Sequence, residues 1–187
     1  NAIRCDGDTS TNDMVSIFST GKIKNPIINN INDKKLVSFD KALHSVLLNL
    51  SKRIVDDGEG ASKFITISVV KAITKNDAKK IAFSIANSPL VKTAIAGQDA
   101  NWGRVIMAIG KAEKNVDQSK IKLKFGNNLT AIKGSMYKRI QIKKLNNYMK
   151  NNIIEINVDL GLGVFKRTIF SSDLTHEYIR INGDYRS

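Results

Sequence analysis

Residues 63–72, KFITISVVKA, crowd β-branched side chains into one short run, at Ile65, Thr66, Ile67, Val69 and Val70. Such a run resists a helix and favours a pleated surface. It predicts a strand buried on both faces, which is the situation of a strand inside a sheet covered by helices. Amphipathic segments on either side fit that reading. Phe39, Leu43, Val46, Leu47, Leu50 and Ile54 recur at helical spacing after Ser38, a candidate N-cap, and the helix should stop at the Asp57–Gly58 turn. A second helix, AKKIAFSIAN, is expected after a cap at Asn76 or Asp77 and ends near Ser88–Pro89.

A short element, PLVKTAIAG, leads into GQDANWGR at 97–104, and a third helix runs from Val105 to Lys111. KIKLKFG at 120–126 alternates apolar residues with lysines and reads as a strand with one wet face. A weaker helix is expected at about 141–151. IIEINVDLG and GVFKRTIF, separated by a glycine-containing turn, then suggest a hairpin. At the start, the chain opens in what looks like a strand, and MVSIFSTG at 14–21 looks like another. Residues 24–33, with Pro26 and several asparagines, read as a loop. Strand-rich ends around central helices give one α/β (α+β) domain over residues 1–187, with mixed sheets packed against helices.

Charge is the obvious functional lead. The net charge of +13 suits phosphate neutralisation, but the lysines are scattered and alternate with apolar residues as solvent-facing positions do. A solvated basic surface therefore explains them better than a nucleic-acid footprint. No apolar run approaches the roughly 18–20 residues that span a bilayer. The one cysteine, Cys5, cannot form an internal disulfide, which fits a reducing, cytoplasmic setting. The first residue is not methionine and no signal-peptide pattern is visible, so a processed or truncated chain is expected.

Four polar corners could carry chemistry. DGDTSTND, Asp6 to Asp13, is either a self-bonded turn or a polar wall that orients a reacting group. In VDDGEGASKF, Glu59 stands between two glycines at a helix-to-strand corner, as a solvated turn acid or as a carboxylate presented to an amine. In GQDANWGR, Asp99 or Asn101 can cap a helix, Trp102 offers a packing anchor, and Arg104 can brace nearby acidic groups. The C-terminal DLTHEYIRINGDYRS carries Tyr178, Ile179, Ile181 and Tyr185, too many anchors for a frayed tail, so it should dock. His176 has no Ser or Cys nucleophile motif beside it, and His44 lies within the first helix. Residue by residue, no self-sufficient catalytic set emerges.

Taken in order, DGDTSTND, DGEGASKF, IANSPLVKTAIAGQDANWGR and DLTHEYIRINGDYRS resemble the ornithine acetyltransferase family, the bifunctional glutamate N-acetyltransferases of arginine biosynthesis. The resemblance runs nearly the whole length. It departs where the family has Pro in place of Ala100 and Ala in place of Gly183. It implies an N-terminal-nucleophile-like superfamily fold and a precursor that cuts itself into two chains. The Thr exposed by that cut is the nucleophile, and it carries an acetyl group from N-acetylornithine to glutamate by a ping-pong route. No cofactor is implied, although acetyl-CoA is a donor in some members.

By position, the resemblance makes Glu59, Asn182 and Ser187 substrate-binding residues, with the nucleophilic Thr and the oxyanion hole upstream of residue 1. None of Thr9, Thr11 or Thr20 stands at the junction. The partner is then the N-terminal (alpha) chain of the same precursor, in a heterotetramer of two alpha and two beta chains, and this chain alone should be inactive. Two other readings compete: an amidopeptidase of the same superfamily, and a basic nucleic-acid-binding module.

Overall fold

The computed structural model describes residues 2–8, 14–112 and 116–184. Its centre is β2 (Phe64–Ala72). That strand lies between β6 (Ile153–Asp159), to which it is parallel, and β7 (Phe165–Ser172), to which it is antiparallel. The short β1 (Ile3–Arg4) adds in parallel outside β7. On the other side β3 (Lys122–Phe125), β4 (Asn128–Ile132) and β5 (Ser135–Met136) continue the mixed seven-stranded sheet, in the order β1-β7-β2-β6-β3-β4-β5.

The expected hairpin of β6 and β7 does not form, because β2 is inserted between its arms. Residues 160–164 cross over the end of β2 instead: Leu160 N and Leu162 N donate to the carbonyls of Val70 and Lys71 at 3.0 and 2.9 Å. Gly163 is required there, since an added Cβ would lie 2.9 Å from the Ala72 carbonyl carbon. A glycine-rich turn fixes how the chain reverses. It does not fix which strand pairs with which.

β2 is covered on one face, not two. Ile65, Ile67 and Val69 are buried with Ile154, Ile156 and Val158 of β6 and Ile169 of β7. They pack beneath Ala78, Ile81 and Ile85 of α2 (Lys75–Ala86) and Val105 and Ile109 of α4 (Trp102–Ala112). The alternate positions Phe64, Thr66, Ser68 and Val70 are half-exposed. Ser68 and Thr168 share a hydrogen bond on that face, and Phe64 meets Phe170 at a centroid distance of 5.7 Å. Thr66 and Ser68 were the sequence signal for this wetter side.

Helix α1 (Val37–Asp56) packs against β1 and β7 but buries only Val55. Its remaining apolar stripe, Phe39, Val46, Leu47, Leu50 and Ile54, is exposed. The helix starts one residue before Ser38, which is not its cap; a single 3-10 turn (Lys34–Leu36) capped by Asp33 precedes it. Residues 14–21 are irregular and exposed, not a strand: no sheet edge among the described residues receives them.

α2 is capped by Thr74, whose hydroxyl accepts from Asp77 N at 3.0 Å. Asp77 thus sits inside the first turn, where its charge favours the helix N-terminus, and is not the cap itself. α3 (Pro89–Ala96) starts with Ser88 as cap and Pro89 in its first turn. α5 (Ile142–Tyr148) is shorter than its sequence pattern suggested. The C-terminal stretch forms α6 (His176–Asp184), in which Tyr178 and Ile181 are half-buried while Ile179 is 63% exposed; Tyr185 lies outside the described residues. No helix among the described residues is long and apolar enough to cross a membrane.

Candidate functional site

The site is built at a corner. After α1 ends, Gly58 N donates to the Val55 carbonyl and Ala61 N to the Gly58 carbonyl, so Asp57–Ala61 turns tightly into β2. Gly60 adopts φ +63°, and an added Cβ would collide with Tyr178 N and stand 2.7 Å from the Glu177 carbonyl carbon. The start of α6 lies directly on this glycine. Thr175 fastens it, donating its hydroxyl to the Gly60 carbonyl at 2.5 Å while accepting from Glu177 N and Tyr178 N. Gly60 is therefore there so that a helix can seat on the backbone and leave the carboxylate projecting, whereas Gly58 faces its own corner, with the Val55 carbonyl 3.2 Å from an added Cβ.

Tyr178 and Asn182 are four residues apart on α6 and share one helix face. Asn182 Nδ2 donates to Glu59 Oε2 at 3.0 Å, and the Tyr178 hydroxyl donates to Asp6 Oδ2 at 3.1 Å. Asp6 also accepts from Asp8 N at 3.0 Å, an Asx turn just beyond β1. The first, second and fourth polar corners of the sequence thus meet around a cleft of about 490 Å³. Its wall is acidic. Burial raises the Tyr178 phenol above its ordinary pKa, and the Asp6, Asp8 and Glu59 carboxylates raise it further.

Two floor residues escaped the sequence reading. Lys92, on α3, is only 4% exposed, and its ammonium donates to the Cys5 carbonyl and lies 3.4 Å from Ser171 Oγ. Burial lowers its pKa, while Cys5, Asp173 and Asp6 act in the opposite direction. Asp173, equally buried, accepts from Ser62 N, Ser62 Oγ and Lys63 N at 2.8, 2.5 and 3.0 Å. A signal for Lys92 existed: in PLVKTAIA it follows Val91 and precedes Ile95 by three positions, a lysine on the apolar side of a short helix.

GQDANWGR stands one layer behind the cleft. Asn101 caps α4, accepting from Arg104 N at 3.1 Å, and Trp102 packs half-buried against the core. Among the described residues Arg104 meets no acidic side chain. It donates to the Leu90 carbonyl at 2.8 Å and lies 3.4 Å from Thr93 Oγ1, so it ties α4 to the helix that carries Lys92. His176 is exposed at the start of α6, and His44 is exposed on α1. Thr20 lies in an exposed irregular stretch. Ser187, Thr9 and Thr11 lie outside the described residues. Among the described residues no group of three or more His, Cys, Asp or Glu side chains is arranged to hold a metal ion.

The arrangement offers carboxylates and an amide to a small polar ligand, over a buried cation. The model of one protein family, described as the ArgJ family, matches residues 1–187. The chain belongs to the ArgJ family. It is 50% identical to the arginine biosynthesis bifunctional protein ArgJ of Bartonella henselae over 187 residues, which is 100% of this chain and 46% of that protein. It is 46% identical to the ArgJ of Caulobacter vibrioides with the same coverage. It therefore spans about half the length of the curated ArgJ proteins that it matches. The crystal structure of ArgJ from Bacillus halodurans superposes with a TM-score of 0.88 at 38% identity, covering 98% of this chain and 86% of that one. The mixed sheet packed with helices is thus the α/β fold that the sequence led us to expect, shared with a solved ArgJ.

Proposed function

We propose that this chain is the substrate-recognising part of a two-chain acetyltransferase that moves an acetyl group from N-acetylornithine to glutamate. The observation that carries the reading is the meeting of Glu59 and Asn182, 123 residues apart, at the mouth of the acidic cleft. Membership of the ArgJ family, whose relatives are named as bifunctional proteins of arginine biosynthesis, supports it.

Glu59 is suited to pair with a substrate ammonium, and the Asn182 amide, together with the Ser187 hydroxyl, to hold a carboxylate. The chemistry is assigned to a Thr upstream of this chain. Its hydroxyl attacks the acetyl carbonyl of N-acetylornithine and its own α-amine takes the hydroxyl proton. The C–N bond breaks, ornithine leaves with a proton, and the acetyl group stays on the Thr oxygen. The amine of glutamate then attacks that ester, and the Thr hydroxyl is restored. Acetyl-CoA enters the same scheme as an alternative donor.

In this reading the chain is inactive alone and pairs with an N-terminal chain of the same precursor, two copies of each forming the assembly. The exposed apolar stripe of α1, continuous with the cleft at Ile54, supports a covering partner.

The test is the intact mass of the full-length natural gene product after brief exposure to N-acetylornithine. Two chains, with the smaller one heavier by one acetyl group, are expected. A single unmodified chain would overturn the reading.

A further inference from the structure

The cleft's recognition groups hang on one another, and the arrangement starts from the buried cation beneath them. Lys92 Nζ donates to the carbonyl of Cys5, the first residue after β1, and reaches Ser171 at the end of β7. The residue after Cys5 is Asp6, which receives the Tyr178 hydroxyl. Tyr178 lies one turn before Asn182 on α6, and Asn182 meets Glu59. A lysine this buried is costly unless its donors are used, and here they are spent on a backbone carbonyl and a hydroxyl. Arg104 in turn fixes α3 through the Leu90 carbonyl, so the helix supplying the lysine is itself held.

We propose that Lys92 is a positioning residue: it holds the Cys5–Asp8 strap on the floor of the cleft and, through Asp6 and Tyr178, sets helix α6 so that Asn182 and Glu59 present one fixed geometry to the substrate. This rests on the acetyl-transfer reading above for its kinetic arm, and on the structure alone for the other. Lys92 acts through the strap, and the acetyl-carrying Thr is assigned outside this chain. Loss of Lys92 should weaken substrate binding and leave the chemical step, carried outside this chain, nearly unchanged.

The experiment compares the full-length, self-processed protein with its Lys92→Met, Lys92→Arg, Tyr178→Phe and Lys92→Met/Tyr178→Phe variants. Kinetics are read with N-acetylornithine and glutamate. Labelling of Cys5 by a thiol reagent is read at the peptide level. In Lys92→Met, KM should rise about tenfold with kcat little changed, as for the loss of one charge-assisted hydrogen bond. Cys5 should label faster as the strap loosens, and Lys92→Arg should recover most of the KM. Because both residues act through the same strap, adding Tyr178→Phe to Lys92→Met should cost less than it does alone.

An unchanged KM and unchanged Cys5 labelling in Lys92→Met would overturn the proposal, as would full additivity of the two substitutions. If Lys92→Met does not fold, Tyr178→Phe and Lys92→Arg carry the decision through the labelling rate, which must rise in the first and stay near that of the parent in the second. A parent protein without acetyl transfer would sink the function proposed above and leave the labelling arm to judge Lys92.

Discussion

The Asn182 side-chain amide donates to Glu59 Oε2 at 3.0 Å, joining the last helix to the corner between α1 and β2. Both residues are exposed, so the contact organises the cleft's mouth without carrying the fold. Glu59→Ala and Asn182→Ala should each lower kcat/KM by about tenfold or more, the scale of a lost charged hydrogen bond. Their melting temperatures should match the parent's. Activity unchanged in both variants would remove this pair from substrate recognition.

Gly60 lets α6 sit where it does. An alanine there would have to hold φ +63° and would press its Cβ into the backbone of Tyr178. Relief requires moving α6, so Gly60→Ala should cost about 2 kcal/mol or more in urea unfolding and loosen substrate binding as well. An equally stable Gly60→Ala protein would mean that the seat of α6 is softer than its geometry indicates.

Asp173 collects two backbone N–H groups and a hydroxyl in a buried setting. Asp173→Ala leaves these donors unmet and removes a negative charge near buried Lys92. The expected loss is about 3 kcal/mol, measured by denaturant unfolding of the full-length protein.

Lys92 should give stability a distinctive pH dependence. Its folded-state pKa is lowered from 10.5, burial being the main cause. Between the folded value and 10.5 the unfolded chain binds more protons, so stability rises with pH across that window. The melting temperature of the parent should therefore improve relative to Lys92→Met as the pH of both is raised toward 10.5. A gap that stays constant or moves the other way would show that the lysine's proton is not coupled to folding.

The stripe of α1 tests the partner. Leu50 is 52% exposed here, and a charge at that position costs the isolated helix little. Leu50→Glu should leave this chain folded but weaken its association with the N-terminal partner proposed above, seen as an earlier-dissociating species in sedimentation. Association as tight as the parent's would place the partner elsewhere.

Local chemistry determined a good deal of this protein before any fold was known. The β-branched run of β2, the capping serine and proline of α3 and the stop at Asp57 all express short-range sterics and periodicity, which a sequence states directly. The motif resemblance singled out Glu59, Asn182 and Ser187, of which the first two meet in the structure and the third lies outside the described residues. Only the tertiary structure decided that β2 would split the β6–β7 pair, since strand choice depends on packing between segments far apart in the chain. It also decided that one face of the sheet stays half-open, and that the stripe of α1 faces outward while a lysine faces in. A side chain's burial is a property of its surroundings. In PLVKTAIA the lysine looks like one more cation on a basic chain, and it becomes the floor of a cleft only when β1, β7 and Asp173 close around it.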